Sequence, residues 1–273
     1  MKQIFIDIHE VWLETLMAGF ASKKNKVKLF DSSDILFRHF TWVENALIKS
    51  NIDYNYNRGS IPIKVENFSY LLNDIIKRVQ KIIDNIDVID DKDLRDRILS
   101  DLNFIIYDIS LMEEEKVTAF NTKRELPNIK LQDEARDALT IFLFEESYKE
   151  YELIMIYNYL KANSNDAFLN RIFAILIDES FFHLKSFGQM MSDMGILAVP
   201  RIVNEELYKI TDITKFLKDG INEEINAKEE CRLLSEAVSK DSDELAKFFD
   251  LINNQENYHI SLMKEALEYY AKS

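Results

Sequence analysis

Glu256-Asn257-Tyr258-His259 sets a carboxylate and an imidazole three residues apart in a stripe that is otherwise apolar. Leu245, Phe249, Ile252, Glu256, His259, Met263, Ala266 and Tyr270 recur at three- and four-residue intervals, the period of one helix face. Burying an ionised carboxylate costs several kcal/mol unless a partner compensates it. A divalent metal ion satisfies both side chains at once. Residues three or four apart share a helix face, so one helix can hold an ion through the pair.

Three further stripes carry a similar interruption. Ile210, Ile213, Leu217, Ile221, Glu224, Cys231 and Leu234 contain one acid. Leu169, Ile172, Leu176, Glu179, His183, Phe187 and Met190 contain an acid and a histidine four apart. Ala138, Ile141, Glu145, Tyr148, Glu152, Met155 and Tyr159 contain two acids. Four facing helices that each contribute an inward carboxylate, two of them with a histidine one turn along, can enclose two metal ions. The set read here is Glu152, Glu179, His183, Glu224, Glu256 and His259, with Glu145 and Glu146 as rivals to Glu152. Any one of these steps alone is more often a satisfied core pair, or a surface acid on a misjudged face. The reading rests on their conjunction.

Elements able to position such a set are legible in the composition. The chain has 273 residues, 47% of them hydrophobic, with five Gly and three Pro. So little punctuation over such a length implies long helices rather than sheets. Periodicity places eight helical segments at roughly 4–22, 31–50, 62–88, 92–119, 131–162, 165–194, 203–239 and 241–271. Asp31-Ser32-Ser33-Asp34, Asn163-Ser164-Asn165-Asp166 and Asp241-Ser242-Asp243 read as caps, and Pro62 opens the third segment. Gly195 and Pro200 mark a longer connection before the seventh. Leu126-Pro127-Asn128 divides the chain into residues 1–126 and 127–273, each expected to form four helices.

Other features bound the function. A net charge of −14 argues against nucleic acid or an anionic membrane surface as partner. The single cysteine, Cys231, excludes an internal disulfide, a CxxC redox pair and a four-cysteine iron site; on its buried stripe it reads as a small hydrophobe. The first twelve residues hold Asp, His and Glu and do not read as a signal peptide. No apolar run reaches the length of a membrane span. A cytoplasmic protein is expected.

The halves echo each other. Residues 107–114 match residues 258–265 at an offset of 151, and residues 36–52 around His39 echo residues 180–196 around His183 at an offset of 144. At the repeat positions the first half offers His39, Asp74 and Asp108, with apolar Ile105 opposite Glu256; His9, Glu10 and Glu14 stand on its first helix. Losing the acid at Ile105 predicts a structural first half, with a mononuclear remnant at His39, Asp74 and Asp108 as the alternative.

Residues 131–273 resemble the ferritin-like superfamily, in particular its rubrerythrin and bacterioferritin branch. The resemblance is carried by Glu152-Leu153-Ile154-Met155-Ile156-Tyr157-Asn158-Tyr159 for the first helix, by residues 221–234 around Glu224 for the third, and by residues 254–267 around Glu256 and His259 for the fourth. It implies two tandem ferritin-like four-helix bundles, the second holding two irons (or iron and manganese) bridged by carboxylates from its second and fourth helices. The implied chemistry is iron oxidation, or reduction of dioxygen or peroxide, by a diiron oxidoreductase. One departure is plain: the family's second helix reads Glu-x-x-His, and three before His183 stands Ser180. Glu179 or Asp178 must then substitute. No rubredoxin-type tail supports an in-chain electron relay. A homodimer is compatible with this reading, and a cage of many chains is not expected. The alternative function is a helical scaffold or partner-binding protein whose buried acids and histidines satisfy one another without metal.

Overall fold

The computed structural model describes residues 1–61, 67–117 and 124–272, and over these the protein is all-α. Two compact units divide at residues 120 and 121, against the expected division after residue 126. In the first unit α1 (Lys2–Ala21), α2 (Lys26–Lys49), α3 (Phe68–Asp84) and α4 (Lys92–Ser110) meet pairwise in the cyclic order α1, α2, α4, α3. The second unit holds α5 (Asp133–Ala162), α6 (Ala167–Asp193), the single turn α7 (Glu205–Tyr208), α8 (Ile213–Val238) and α9 (Asp243–Lys272). Its four long helices meet in the matching order α5, α6, α9, α8.

Several helix ends differ from those the sequence predicts. Asp31 to Asp34 lie inside α2, where Ser32 and Ser33 are buried. Packing of α1 on α2 overrides the cap signal: a Cβ added at Gly19 would sit 2.5 Å from the Phe30 ring, so the helices approach closely there. Segment four stops at Ser110 because the following chain is used elsewhere. The Glu115 carboxylate accepts from the Ser22 hydroxyl, from the Lys23 and Lys24 amides at 2.7 and 3.2 Å, and from Asn25 Nδ2 at 3.1 Å. It thereby satisfies the donors of the tight α1–α2 connection. Segment seven breaks after Tyr208, and Asp212 restarts it as the N-cap of α8, accepting from the Lys215 amide at 2.9 Å. Pro62 and the predicted end of segment four at 118–119 lie outside the described residues.

Other ends follow the sequence signals. Asp166 caps α6, accepting from the amides of Phe168 and Leu169. The Ser242 hydroxyl accepts from the Leu245 amide at the start of α9. Gly195 adopts φ 76° just past α6, where Ile196 N–H reaches back to Met191 at 2.8 Å.

Each long helix of the second unit is apolar at both ends of its buried stripe and polar in the middle. One end of the core gathers Leu139, Phe142, Phe187, Leu234, Phe249 and Ile252. Phe142 packs edge-on against Phe187 and Phe249, with centroids 5.4 and 5.3 Å apart. At the other end Ile154, Tyr157, Phe173, Leu217 and Met263 are buried, and Tyr157 stacks on Phe173. Each such side chain contributes about 1.5–3 kcal/mol by leaving water. That stabilisation offsets the polar belt held between the two ends. Among the described residues no helix is long and apolar enough to cross a membrane.

Candidate metal centre

The belt is built from one or two side chains per helix. On α5 the buried stripe runs Leu139, Leu143, Glu146, Glu150, Ile154, Tyr157. On α6 it runs Leu176, Ser180, His183, Phe187; on α8 Leu217, Glu224, Cys231; on α9 Ile252, Glu256, His259, Met263. Glu150, Glu224, Glu256 and both histidines are all at most 6% exposed.

Glu256 stands between the two imidazoles. Its Oε2 lies 2.7 Å from His259 Nδ1 and its Oε1 3.8 Å from His183 Nδ1. His183 Nδ1 also pairs with Glu150 Oε1 at 2.9 Å, and His259 Nδ1 lies 3.5 Å from Glu224 Oε2. The outer nitrogens are engaged too: His183 Nε2 with Gln255 Oε1 at 3.2 Å, and His259 Nε2 with Glu179 Oε2 at 2.6 Å. The ring centroids are 5.9 Å apart. Ligand atoms of Glu224, Glu256 and His259 converge within 4.8 Å of one another, the one such group of three among the described residues.

Protonation follows from this crowding. Burial alone would lower the pKa of His183, but the charge and hydrogen bond of Glu150, with Glu256 behind, raise it to about 9. Burial opposes ionisation of His259 as well, and the Glu179 carboxylate bonded to Nε2, with Glu224 and Glu256 beside Nδ1, pushes it up to about 12. Glu256 is pushed up to about 8, first by burial and then by neighbouring Glu224. Burial also acts to raise Glu224, yet His259 holds it below the usual carboxylate range. Glu224 and Glu256 thus resist carrying two charges together. Two buried oxygens, Glu150 Oε2 and Glu256 Oε2, have no hydrogen bond. Glu256 Oε2 lies close to His259 Nδ1 without the alignment of a hydrogen bond.

Such a belt fits transition-metal ions. It offers carboxylate oxygens lacking donors, two imidazole nitrogens facing one shared carboxylate, and enclosure by apolar ends. The Tyr157 phenol joins the same surroundings: burial, then Glu224, Glu150 and Glu256, raise its pKa well above the ordinary value. Cys231 is buried, and burial followed by Glu256 pushes its thiol up, so it stays an un-ionised core side chain.

Of the sequence-derived set, Glu179, His183, Glu224, Glu256 and His259 are brought together, Glu179 only behind His259. Glu152 is not: it pairs with Arg201 away from the belt, and Glu150 occupies the inward place on α5. The expected α5 face was turned by about half a helix circumference: its Ile141 is 59% exposed. Glu145 is exposed, and Glu146 is buried beside Lys149 at 2.7 Å. Ser180 faces the belt at 1% exposure, so α6 brings no acid to the position three before its histidine. Gln255 was missed because nothing marks a glutamine beside a Glu-x-x-His step. Glu150 was legible in the alternative stripe through Glu146 and Ile154.

In the first unit the residues of the expected remnant go to separate partners. His39 Nε2 pairs with Asp101 at 3.0 Å, Asp108 with Lys28 at 2.9 Å, and Asp74 with Arg78 at 3.2 Å. The Arg78 guanidinium also reaches Glu10 at 2.9 Å and buried Glu14 at 2.8 Å, so a side-chain cation lies among these acids. His9 is buried among Trp12, Phe40 and Tyr56, and burial lowers its pKa to about 3. No family model, curated protein or solved structure matches the chain.

Proposed function

We propose that the second unit binds two transition-metal ions, iron or manganese, in a ferritin-like carboxylate–histidine centre. The observation that carries this reading is the buried belt itself, in which Glu256 is shared between His183 and His259 and two carboxylate oxygens lack donors. Glu150 and His183 would hold one ion, Glu224 and His259 the other, and Glu256 would serve both. Bound iron in such a centre supplies one-electron chemistry toward dioxygen or peroxide. The chain's own part is to strip water from the ions, orient both imidazoles and take up the protons that metal displaces. Tyr157, buried on α5, lies within reach of the charges of Glu224, Glu150 and Glu256. An oxidoreductase role extends this reading.

The self-paired belt also supports a second reading, a metal-free helical scaffold, because each histidine already has carboxylate partners. The two part on metal. Manganese(II) or iron(II), added without oxygen to metal-stripped protein, is expected to raise the melting temperature, and magnesium at the same concentration is not. A ligand at a hundred times its Kd stabilises by about 2.7 kcal/mol. Glu150→Ala should lose the part of this rise that comes from the ion at His183, and Glu152→Ala should keep all of it. No rise with any of these metals, or equal loss in both variants, would overturn the assignment.

A further inference from the structure

We infer, on the metal-binding reading above, that the two metal positions are unequal and that the one at His259 fills first, because Glu179 and Gln255 hold the outer nitrogens of the two histidines differently. The imidazoles are disposed alike: each turns Nδ1 toward Glu256, at 2.7 Å for His259 and 3.8 Å for His183. Behind them the symmetry ends. His259 Nε2–H donates to the Glu179 carboxylate at 2.6 Å, and His183 Nε2–H donates to the neutral Gln255 carboxamide at 3.2 Å.

A carboxylate behind a ligating imidazole fixes the ring and makes its inner nitrogen a stronger donor. Such outer partners are worth about ten- to a hundredfold in metal affinity. A carboxamide fixes the ring without adding charge. Glu179 is therefore a positioning residue for His259, not a replacement for the acid missing at Ser180. The inner carboxylates lean the same way. Ligand atoms of Glu224, Glu256 and His259 already lie within 4.8 Å of one another. At His183 only Glu150 is close, at 2.9 Å, and Glu256 stands farther off at 3.8 Å. With buried Ser180 on α6, Glu256 is the one carboxylate within ion-pair distance of both imidazoles among the described residues.

The test is a calorimetric titration of the metal-stripped full chain with manganese(II) at fixed pH, with free ion followed by electron paramagnetic resonance. Repulsion between two cations separates the steps even for equal positions, so variants decide. Glu179→Gln keeps an acceptor and removes its charge. It should weaken the first step about tenfold or more and leave the second nearly unchanged. Gln255→Glu should tighten the second step and narrow the gap. General damage to the fold would weaken both steps together, and a circular-dichroism melt of each metal-free variant detects it. Should Glu179→Gln fail to fold, Gln255→Glu alone decides. An unchanged gap in Gln255→Glu, or equal weakening of both steps in a well-folded Glu179→Gln, overturns the inequality while leaving metal binding intact. A wild-type chain that takes up no manganese overturns the metal-binding reading and this inference with it.

Discussion

Glu256→Gln is expected to cost the chain its metal and to leave the metal-free fold as stable as the wild type, or more so. The two effects separate because the residue does different work in the two states. Without metal, Glu256 is buried beside Glu224, and its carboxyl, pushed up to about 8, is largely protonated at neutral pH. A carboxamide has nearly the shape of that neutral acid and carries no ionisation cost. With metal, the anion is the group both ions would share, and a neutral amide cannot replace it. Manganese affinity should fall at least a hundredfold, equivalent to about 2.7 kcal/mol. Urea melts in chelator should place the variant at or above wild type. A variant that binds manganese like the wild type would remove Glu256 from the centre. One that loses affinity only because it is partly unfolded would show in the melt.

Metal-free protein should lose several kcal/mol of stability between pH 6.5 and 9, and metal-loaded protein should lose much less. His183 is raised to about 9 from an ordinary 6.5, so its contribution is full below 6.5 and disappears as pH rises through 9. Glu256 and Glu14 are both raised to about 8, and Glu146 to about 7, with burial the leading cause in each. Their contributions are full below the ordinary carboxyl pKa and disappear as pH climbs through these values. Buried His9 and His39 act oppositely: lowered to about 3 and 4, they stabilise above 6.5 and lose that contribution as pH falls. Above pH 6.5 the shifted histidines and carboxyls named here therefore contribute losses alone. Each pKa unit corresponds to about 1.4 kcal/mol. Bound metal would displace protons from His183, His259 and Glu256, so its binding should strengthen with pH and offset the decline. Urea melts at pH 6.5, 8 and 9, with and without manganese, measure both slopes. Flat stability of the metal-free protein across that range would contradict the protonation pattern assigned to the belt.

The all-α class was legible in the sparse Gly and Pro, and most of the belt in two stripes that left little choice of face. On α8 and α9 most apolar residues fall on one side, with Ile225, Leu233, Leu251 and Tyr258 left exposed, and Glu224, Glu256 and His259 are buried as their spacing requires. Helix α5 is different: Ile141 and Phe144 are exposed while Phe142 and Leu143 are buried, so apolar residues surround the helix and two stripes fit equally well. The sequence does not single out Glu150: packing buries it with Leu139, Leu143 and Ile154 and leaves Glu152 to pair with Arg201, some fifty residues on. Glu179 and Ser180 pose the same problem one residue apart. Spacings of three and four both satisfy a helix face, and only packing shows Ser180 buried and Glu179 at the edge, with a quarter of its side chain exposed. Arg78 among Glu10, Glu14 and Asp74 joins α1 to α3 and leaves no local signal at all. Misplaced helix starts have a similar origin, as at Asp31 to Asp34, where a sound cap signal lies inside a helix fixed by contact with α1.

The most direct test of the central claim is elemental analysis of the untagged chain after growth with iron and manganese, beside the double variant Glu256→Ala, His259→Ala. The predicted result is about two transition-metal ions per wild-type chain and close to none in the double variant, with both proteins folded by circular dichroism. A wild-type chain without metal, or a metal content that the double variant leaves unchanged, would contradict it.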